Sequence, residues 1–434
     1  MDGKIPALLF FFILIGAPNL DSHNIVVSIF ILLMISFTSF IIFKNKLFLF
    51  LVLITILAFY TFLKGFSTYF ALGIFSGLFL AYFLESIGLI KKTAIFVIIS
   101  TFIVISWFSS IGLRTVLSSD LSTFSYNNDQ GAFLKTYYYM NQNLSYYNSF
   151  AKAMTGKFSH PNLPSDIWSW RLPTIFVIWK LLPTSSGMFI YISYLTLASS
   201  VIFVSYLIGE RYMLFPYSVL PPYLIFAYLI FGAKSHDFLL TELWGLFPFL
   251  IGMYLVISKR LFYAIIFISL AVLIREIYIL PIALMLVYAA LKKRRLIFAL
   301  AIPLFFFCTL FFFHLKFAGS YIDSIGTVFN LRMVHNGFYF IQQTLSFGSG
   351  SYLFFPLRPF VLLSPLALLG CYYVYKRNKN DEAVLWLLSF LPFPLAFLKF
   401  GNTPFNDYWG IFYVPTFLIL APLALGLTFK KNDD

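Results

Sequence analysis

The sequence predicts an all-α fold: a polytopic bundle of about fourteen transmembrane helices, with one long helical loop outside the bilayer. Three observations predict it. Of the 434 residues, 61% are hydrophobic and 11% are charged, against about 25% charged in soluble domains. Apolar runs of roughly 20 residues, the length that crosses a bilayer, recur along the chain. The basic residues cluster between alternate runs, as expected of loops held on the cytoplasmic side.

The first run, 5–20, follows Lys4 and ends in small residues near Ala17. It reads as an uncleaved span or as a signal peptide, and the remaining topology is the same either way. Further runs lie at 24–43, 47–63, 66–90 and 93–113. Segment 114–186 then breaks the pattern, gathering Asp120, Asp129, Lys135, His160, Asp166 and Arg171 among tyrosines and asparagines. It is the first long loop, with a half-helix expected over 172–183 that lies along the surface or dips in. Nine more runs follow at 187–209, 212–232, 238–257, 261–274, 277–291, 296–315, 353–375, 382–398 and 411–429. Those at 261–274 and 277–291 are short and predict a broken or re-entrant pair.

With Lys4 inside, Lys44/Lys46, Lys91/Lys92, Arg211, Lys259/Arg260, Lys292–Arg295, Lys376/Arg377/Lys379 and Lys430/Lys431 all fall on one side. The expectation is one integral membrane domain over 1–434, multi-pass, with both termini cytoplasmic. The loops 114–186, 233–237, 316–352 and 399–410 then share the extracytoplasmic face.

The net charge of +14 belongs to those short loops. Basic residues in twos and fours between apolar runs make a poor nucleic-acid surface. Cys308 and Cys371 both lie in apolar runs and suggest neither a disulfide nor a metal cluster. No GxxxxGK[ST] or GxGxxG pattern occurs, which argues against ATP- or nucleotide-sugar-driven chemistry. No HExxH or Cys/His spacing occurs either, and His236-Asp237 is the one candidate pair of metal ligands. No cofactor is called for, and a divalent metal has no ligand motif behind it.

A charge inside a span costs roughly 2.5–3.5 kcal/mol and marks function by default. Lys234, His236, Asp237 and Glu242 crowd the start of one span; Arg275 and Glu276 interrupt another; Arg358 and Asp407 mark later ones. Each also has a structural reading: Arg358 and Lys399 can snorkel to headgroups, and Arg275 can pair with Glu276. Together they place carboxylates and cations on one membrane face. That combination suits glycosyl transfer from a lipid phosphate. The acceptor hydroxyl must lose a proton to a carboxylate, and the leaving phosphate needs fixed cationic donors. Tyr137, Tyr138, Tyr139, Tyr146 and Tyr147 can stack on sugar faces, or form an interfacial aromatic belt.

These stretches resemble the GT-C superfamily, the multi-spanning glycosyltransferases that use polyprenyl-phosphate sugars. NNDQGAFLKTYYYMNQNLSYY resembles its first outer loop, with Asp129 at the acidic position. WSWRLPTIFVIWKLLP resembles the return from that loop, KSHDFLLTELWGLFPFLIGMYLV the second acidic position at Asp237, and AVLIREIYILPIALML the short Arg-Glu helix pair. NDYWGIFYVPTFLIL is similar to a late span, with Asp407-Tyr408 where an Arg-Tyr pair is usual. The likeness covers about 114–290. About five spans precede the acidic loop rather than one, and Asn128-Asp129 stands where paired acids are usual.

The resemblance implies inverting transfer of one sugar from a polyprenyl-phosphate donor to a glycan, lipid or protein acceptor. It implies Asp129 as general base and Asp237 as the group that orients acceptor or base. Arg275, Lys234, His236 and Arg171 would hold the donor phosphate; Tyr137, Tyr138 and Glu276 would contact sugar or acceptor. Two other readings stand beside it. A polymerase or ligase of lipid-linked glycans would rely on Arg171, Arg332 and Arg358. A glycan transporter or flippase would bury its charges at mid-membrane and show repeats.

Overall fold

The computed structural model describes residues 129–155, 167–182, 187–213, 217–234, 236–322, 337–347, 360–400 and 407–427. The five runs expected before 114 lie outside the described residues, as do Asp120, His160, Asp166, Arg332 and Arg358. The described residues are helical and contain no β-strand. Three helical stretches are long and apolar enough to cross a membrane: Phe189–Tyr212, Arg294–Gly319 and Asp407–Leu427.

The described part of segment 114–186 contributes three α-helices: α1 (Asp129–Asn141), α2 (Tyr146–Met154) and α3 (Thr174–Lys180). The last is the half-helix expected over 172–183. The bundle follows with α4 (Gly187–Tyr212), α5 (Leu220–Lys234), α6 (Thr241–Ile257), α7 (Leu261–Ile274), α8 (Ile279–Lys292) and α9 (Ile297–Gly319). Then come α10 (Gly337–Ser346), α11 (Phe360–Lys376), α12 (Asn380–Phe390), α13 (Pro392–Phe397) and α14 (Val414–Leu420). 3-10 stretches at Asp407–Phe412 and Ala421–Leu427 flank α14.

Helix α6 is the core. It packs on α4, on α7 and on the Asp407–Phe412 turn, and nearly every one of its side chains is buried. A helix apolar on all sides has no face to give to water and must be enclosed. The outer faces of α7 and α9 do the opposite. Phe262 is 70% exposed, Phe298 73% and Phe305 68%. With α9 at 23 residues, or about 35 Å, its aromatic surface matches the hydrocarbon depth of a bilayer.

Three tight turns reverse the chain by the same device. Asn143, Lys259 and Asn378 adopt φ of 66°, 60° and 58°. Each is followed by an N–H that reaches back five residues, Leu144 to Tyr139, Arg260 to Leu255 and Lys379 to Val374. This is the Schellman ending, in which one left-handed residue lets the last carbonyls find donors. Glycine usually occupies that position; here asparagine does so twice and lysine once.

The reversals sort charge into two layers. α6 carries Glu242 in its first turn and ends at Ile257, Arg260 precedes α7 and Arg275 follows it, and Glu276 opens the turn into α8, which ends at Lys292. Asp237, Glu242, Arg275 and Glu276 therefore lie at one end, and Arg211, Lys259, Arg260 and Lys292–Arg295 at the other. The 17 residues of α6 separate the layers by about 25 Å. The basic layer is stapled: Arg211 Nε donates to Glu382 Oε2 at 2.9 Å, and Lys293 Nζ lies 2.7 Å from Asp381. Arg377 Nη1 donates to the Tyr212 carbonyl at 2.6 Å.

Candidate functional site

The end of the bundle opposite the basic layer is capped by residues 129–155 and 167–182. Aromatic packing holds the cap down. The Trp179 ring is fully buried and meets Tyr137, Phe176 and, across to α6, Trp244 at 5.6 Å. Phe150 packs on Trp170, and Trp168 stacks on Phe311 of α9. Two hydroxyls add direction: Tyr146 donates to the Arg171 carbonyl, and Tyr147 lies 3.1 Å from His314 Nδ1. Burial pushes the Tyr147 phenol up to about 12, so it stays protonated at neutral pH.

The cap delivers Asp129 and Arg171 to the acidic and basic groups of the bundle. Asp129 opens α1, where the helix dipole favours a carboxylate. Its Oδ2 lies 3.4 Å from the Tyr408 hydroxyl. The next residue, Gln130, donates from Nε2 to Asp237 Oδ1 at 2.8 Å. The first turn of α1 thus joins the two acids that are 108 positions apart. Asp407, whose backbone turn carries Tyr408, is within electrostatic reach of Asp237.

Behind these acids sits a buried ion-pair network. Arg275 Nη2 is 2.9 Å from Glu242 Oε1, and Arg275 Nη1 is 3.3 Å from Glu276 Oε1. Arg171 Nη2 approaches the same Glu242 oxygen at 3.9 Å and donates from Nη1 to the Trp168 carbonyl at 3.0 Å. The side chains of Arg275 and Glu242 are 2% and 1% exposed, whereas Arg171 keeps 12%. Burial works against the charge on Arg171. Tyr408, Glu242, Asp129 and Glu276 outweigh it, so the guanidinium is held well above its ordinary range. Several polar atoms here are buried and make no hydrogen bond: Nε of Arg171, Nε and Nη1 of Arg275, and Oε2 of Glu276. A buried polar atom without any partner costs about 1–3 kcal/mol, so their concentration in one place calls for an explanation beyond packing.

Arg275 owes its position to a break in the helix. α7 ends at Ile274, Arg275 is extended at φ −137°, and a 3-10 turn over Glu276–Tyr278 leads into α8. The break also lets α6 approach closely, since a Cβ on Gly245 would meet Arg275 Cβ and Cγ at 3.1 Å.

Among the residues singled out from sequence, Asp129, Asp237, Arg171, Arg275 and Glu276 come together. Lys234 is the last residue of α5, and His236 opens the short turn that carries Asp237. Tyr137 is fully buried against Trp179, so its ring belongs to the packing of the cap; Tyr138 is half-buried beside Tyr139. Glu242 was visible as an acid one turn into a span, and the structure makes it the hub of two arginines. Gln130 carried no signal of its own. Among the described residues no three His, Cys, Asp or Glu side chains form a metal-binding group. Compared with protein-family models, curated proteins and solved structures, the chain matches none of them.

Proposed function

We propose that this chain is a polytopic glycosyltransferase. It moves one sugar, with inversion, from a polyprenyl-phosphate donor to an acceptor hydroxyl at the extracytoplasmic face of the membrane. The observation that carries the reading is the juxtaposition of two carboxylates, Asp129 and Asp237, bridged by Gln130, with two guanidinium groups, Arg171 and Arg275, at one end of an apolar bundle. Lipid-exposed aromatic faces on α7 and α9 suit a donor whose tail lies in the bilayer.

In this reading the acceptor oxygen attacks the anomeric carbon and its proton passes to Asp129. The bond from that carbon to the donor phosphate breaks, and the electron pair leaves with the phosphate. Asp237 orients the acceptor, with Gln130 fixing the spacing of the two acids. Arg171, the more open guanidinium, takes the developing phosphate charge, and Arg275 supports it through their shared Glu242. The basic layer then faces the cytoplasm, with both termini on that side.

The test is a radiolabel transfer assay. Purified protein receives a panel of polyprenyl-phosphate sugars and membrane acceptors, with wild type beside Asp129→Asn. Transfer by wild type, lowered roughly 10²–10⁴-fold in the variant, is the expected result. Full transfer by Asp129→Asn removes that residue as the base. Absence of transfer by wild type from every donor in the panel overturns the enzyme class.

A further inference from the structure

The basic end of the bundle holds charge for which the proposed chemistry has no use. Lys259 and Arg260 form the α6–α7 turn, Lys292–Arg295 join α8 to α9, and all six are exposed. α7 and α8 both pack on α9, which brings the two turns to the same end of the bundle, and Asp381 feels both Lys293 and Lys259. That single acid is already engaged, by Lys293 Nζ at 2.7 Å and by the Tyr288 hydroxyl at 2.7 Å. Arg260, Lys292, Arg294 and Arg295 make no ion pair with described residues. Among the described residues, then, these four cations have no carboxylate in ion-pair contact.

The surface next to them is apolar. Phe262 and Tyr263 follow Arg260 on α7; Leu291 precedes Lys292 on α8; Phe298 follows Arg295 on α9. They are 70%, 56%, 74% and 73% exposed. α7 and α9 pack side by side, so their outer faces form one continuous apolar strip, extended by Ile266 and Phe305. A cationic rim on top of an exposed apolar strip is complementary to an amphiphile with an anionic head.

We propose that this end of the bundle is a binding site for an anionic phospholipid. Arg260, Lys292, Arg294 and Arg295 hold the headgroup phosphate, and the acyl chains lie along α7 and α9. The site is independent of the transferase reading and does not need the carboxylates at the other end.

The experiment uses the full chain in a zwitterionic detergent. Phosphatidylglycerol, phosphatidylcholine or inorganic phosphate is added, and lipid retention is read by native mass spectrometry alongside the melting temperature. Wild type is expected to retain phosphatidylglycerol over phosphatidylcholine, to melt higher with it, and to lose the preference in high salt. At roughly five-fold per cation, the Lys292→Ser/Arg294→Ser/Arg295→Ser variant loses about 100-fold in affinity. Lys259 and Lys293 are kept in that variant so that the charges orienting these loops remain. Equal retention of both lipids by wild type overturns the proposal without reference to any variant. So does the same stabilisation by inorganic phosphate, or an undiminished preference in the triple variant.

Discussion

Removing the carboxylate of Glu242 tests how the buried network is held. Glu242 is 2.9 Å from Arg275 and 3.9 Å from Arg171, and its side chain is 1% exposed. Breaking one partner of a buried pair costs about 3–5 kcal/mol, because the remaining charge is left without compensation. Glu276 stays within 3.3 Å of Arg275 and offsets part of that loss, so Glu242→Gln is expected at the lower end, about 3 kcal/mol. At about 1 °C per kcal/mol for a chain of 434 residues, the melting temperature falls by about 3 °C, measured by tryptophan fluorescence in detergent. Arg275→Met alone leaves Glu242 with Arg171 at a longer distance and falls by a similar amount. The double variant Glu242→Leu/Arg275→Met removes both charges and is expected to recover most of the loss, since apolar replacement of a buried pair is often neutral or stabilising. An unchanged melting temperature in Glu242→Gln refutes the reasoning. A double variant as unstable as the sum of its singles refutes it too, since independent sites add.

Four further outcomes follow from other parts of the molecule. Hydrogen bonds and charge from Lys293 and Tyr288 outweigh burial and hold the Asp381 carboxyl below its ordinary 3.8; its contribution is complete above that pH and disappears as pH falls through the lowered folded value. Between pH 6 and pH 3, wild type should therefore lose more thermal stability than Asp381→Asn. Gly370→Ala would set a Cβ 2.1 Å from the Leu420 carbonyl oxygen and force α11 from α14, costing about 1–3 kcal/mol. Gly319→Ala meets nothing within 4 Å and should gain about 0.4–1 kcal/mol through the unfolded chain, as paired thermal melts will show. Trp179→Ala should cost about 3–5 kcal/mol and release the cap, making the chain near Thr155 more sensitive to limited proteolysis than wild type.

Hydropathy and charge made the helices from 187 onward legible. The runs read at 187–209, 261–274 and 296–315 correspond to α4, α7 and α9. Others needed trimming. The run at 212–232 begins as helix at Leu220, and that at 382–398 is cut in two at Leu391, where Pro392 cannot continue the backbone hydrogen bonds of α12. The break at Arg275-Glu276 was readable because two adjacent charges between apolar runs are too costly to leave inside a helix surrounded by hydrocarbon.

The sequence by itself determined that the chain is helical and apolar, where most reversals fall, and that its charges divide between two ends. These properties follow from local composition and the periodic reversal of direction, which need no knowledge of which helix touches which. Only the tertiary structure decided the company each charge keeps. It tied Gln130 to Asp237, set Tyr408 beside Asp129, and made Glu242 the shared partner of Arg171 and Arg275. It also moved Tyr137 from a candidate contact surface into the packing against Trp179. Such assignments depend on helix rotation and on distances of a few ångströms between segments that lie 33 to 279 positions apart in the chain. Apolar runs carry little trace of that rotation, because a helix buried on all sides presents the same composition to every neighbour.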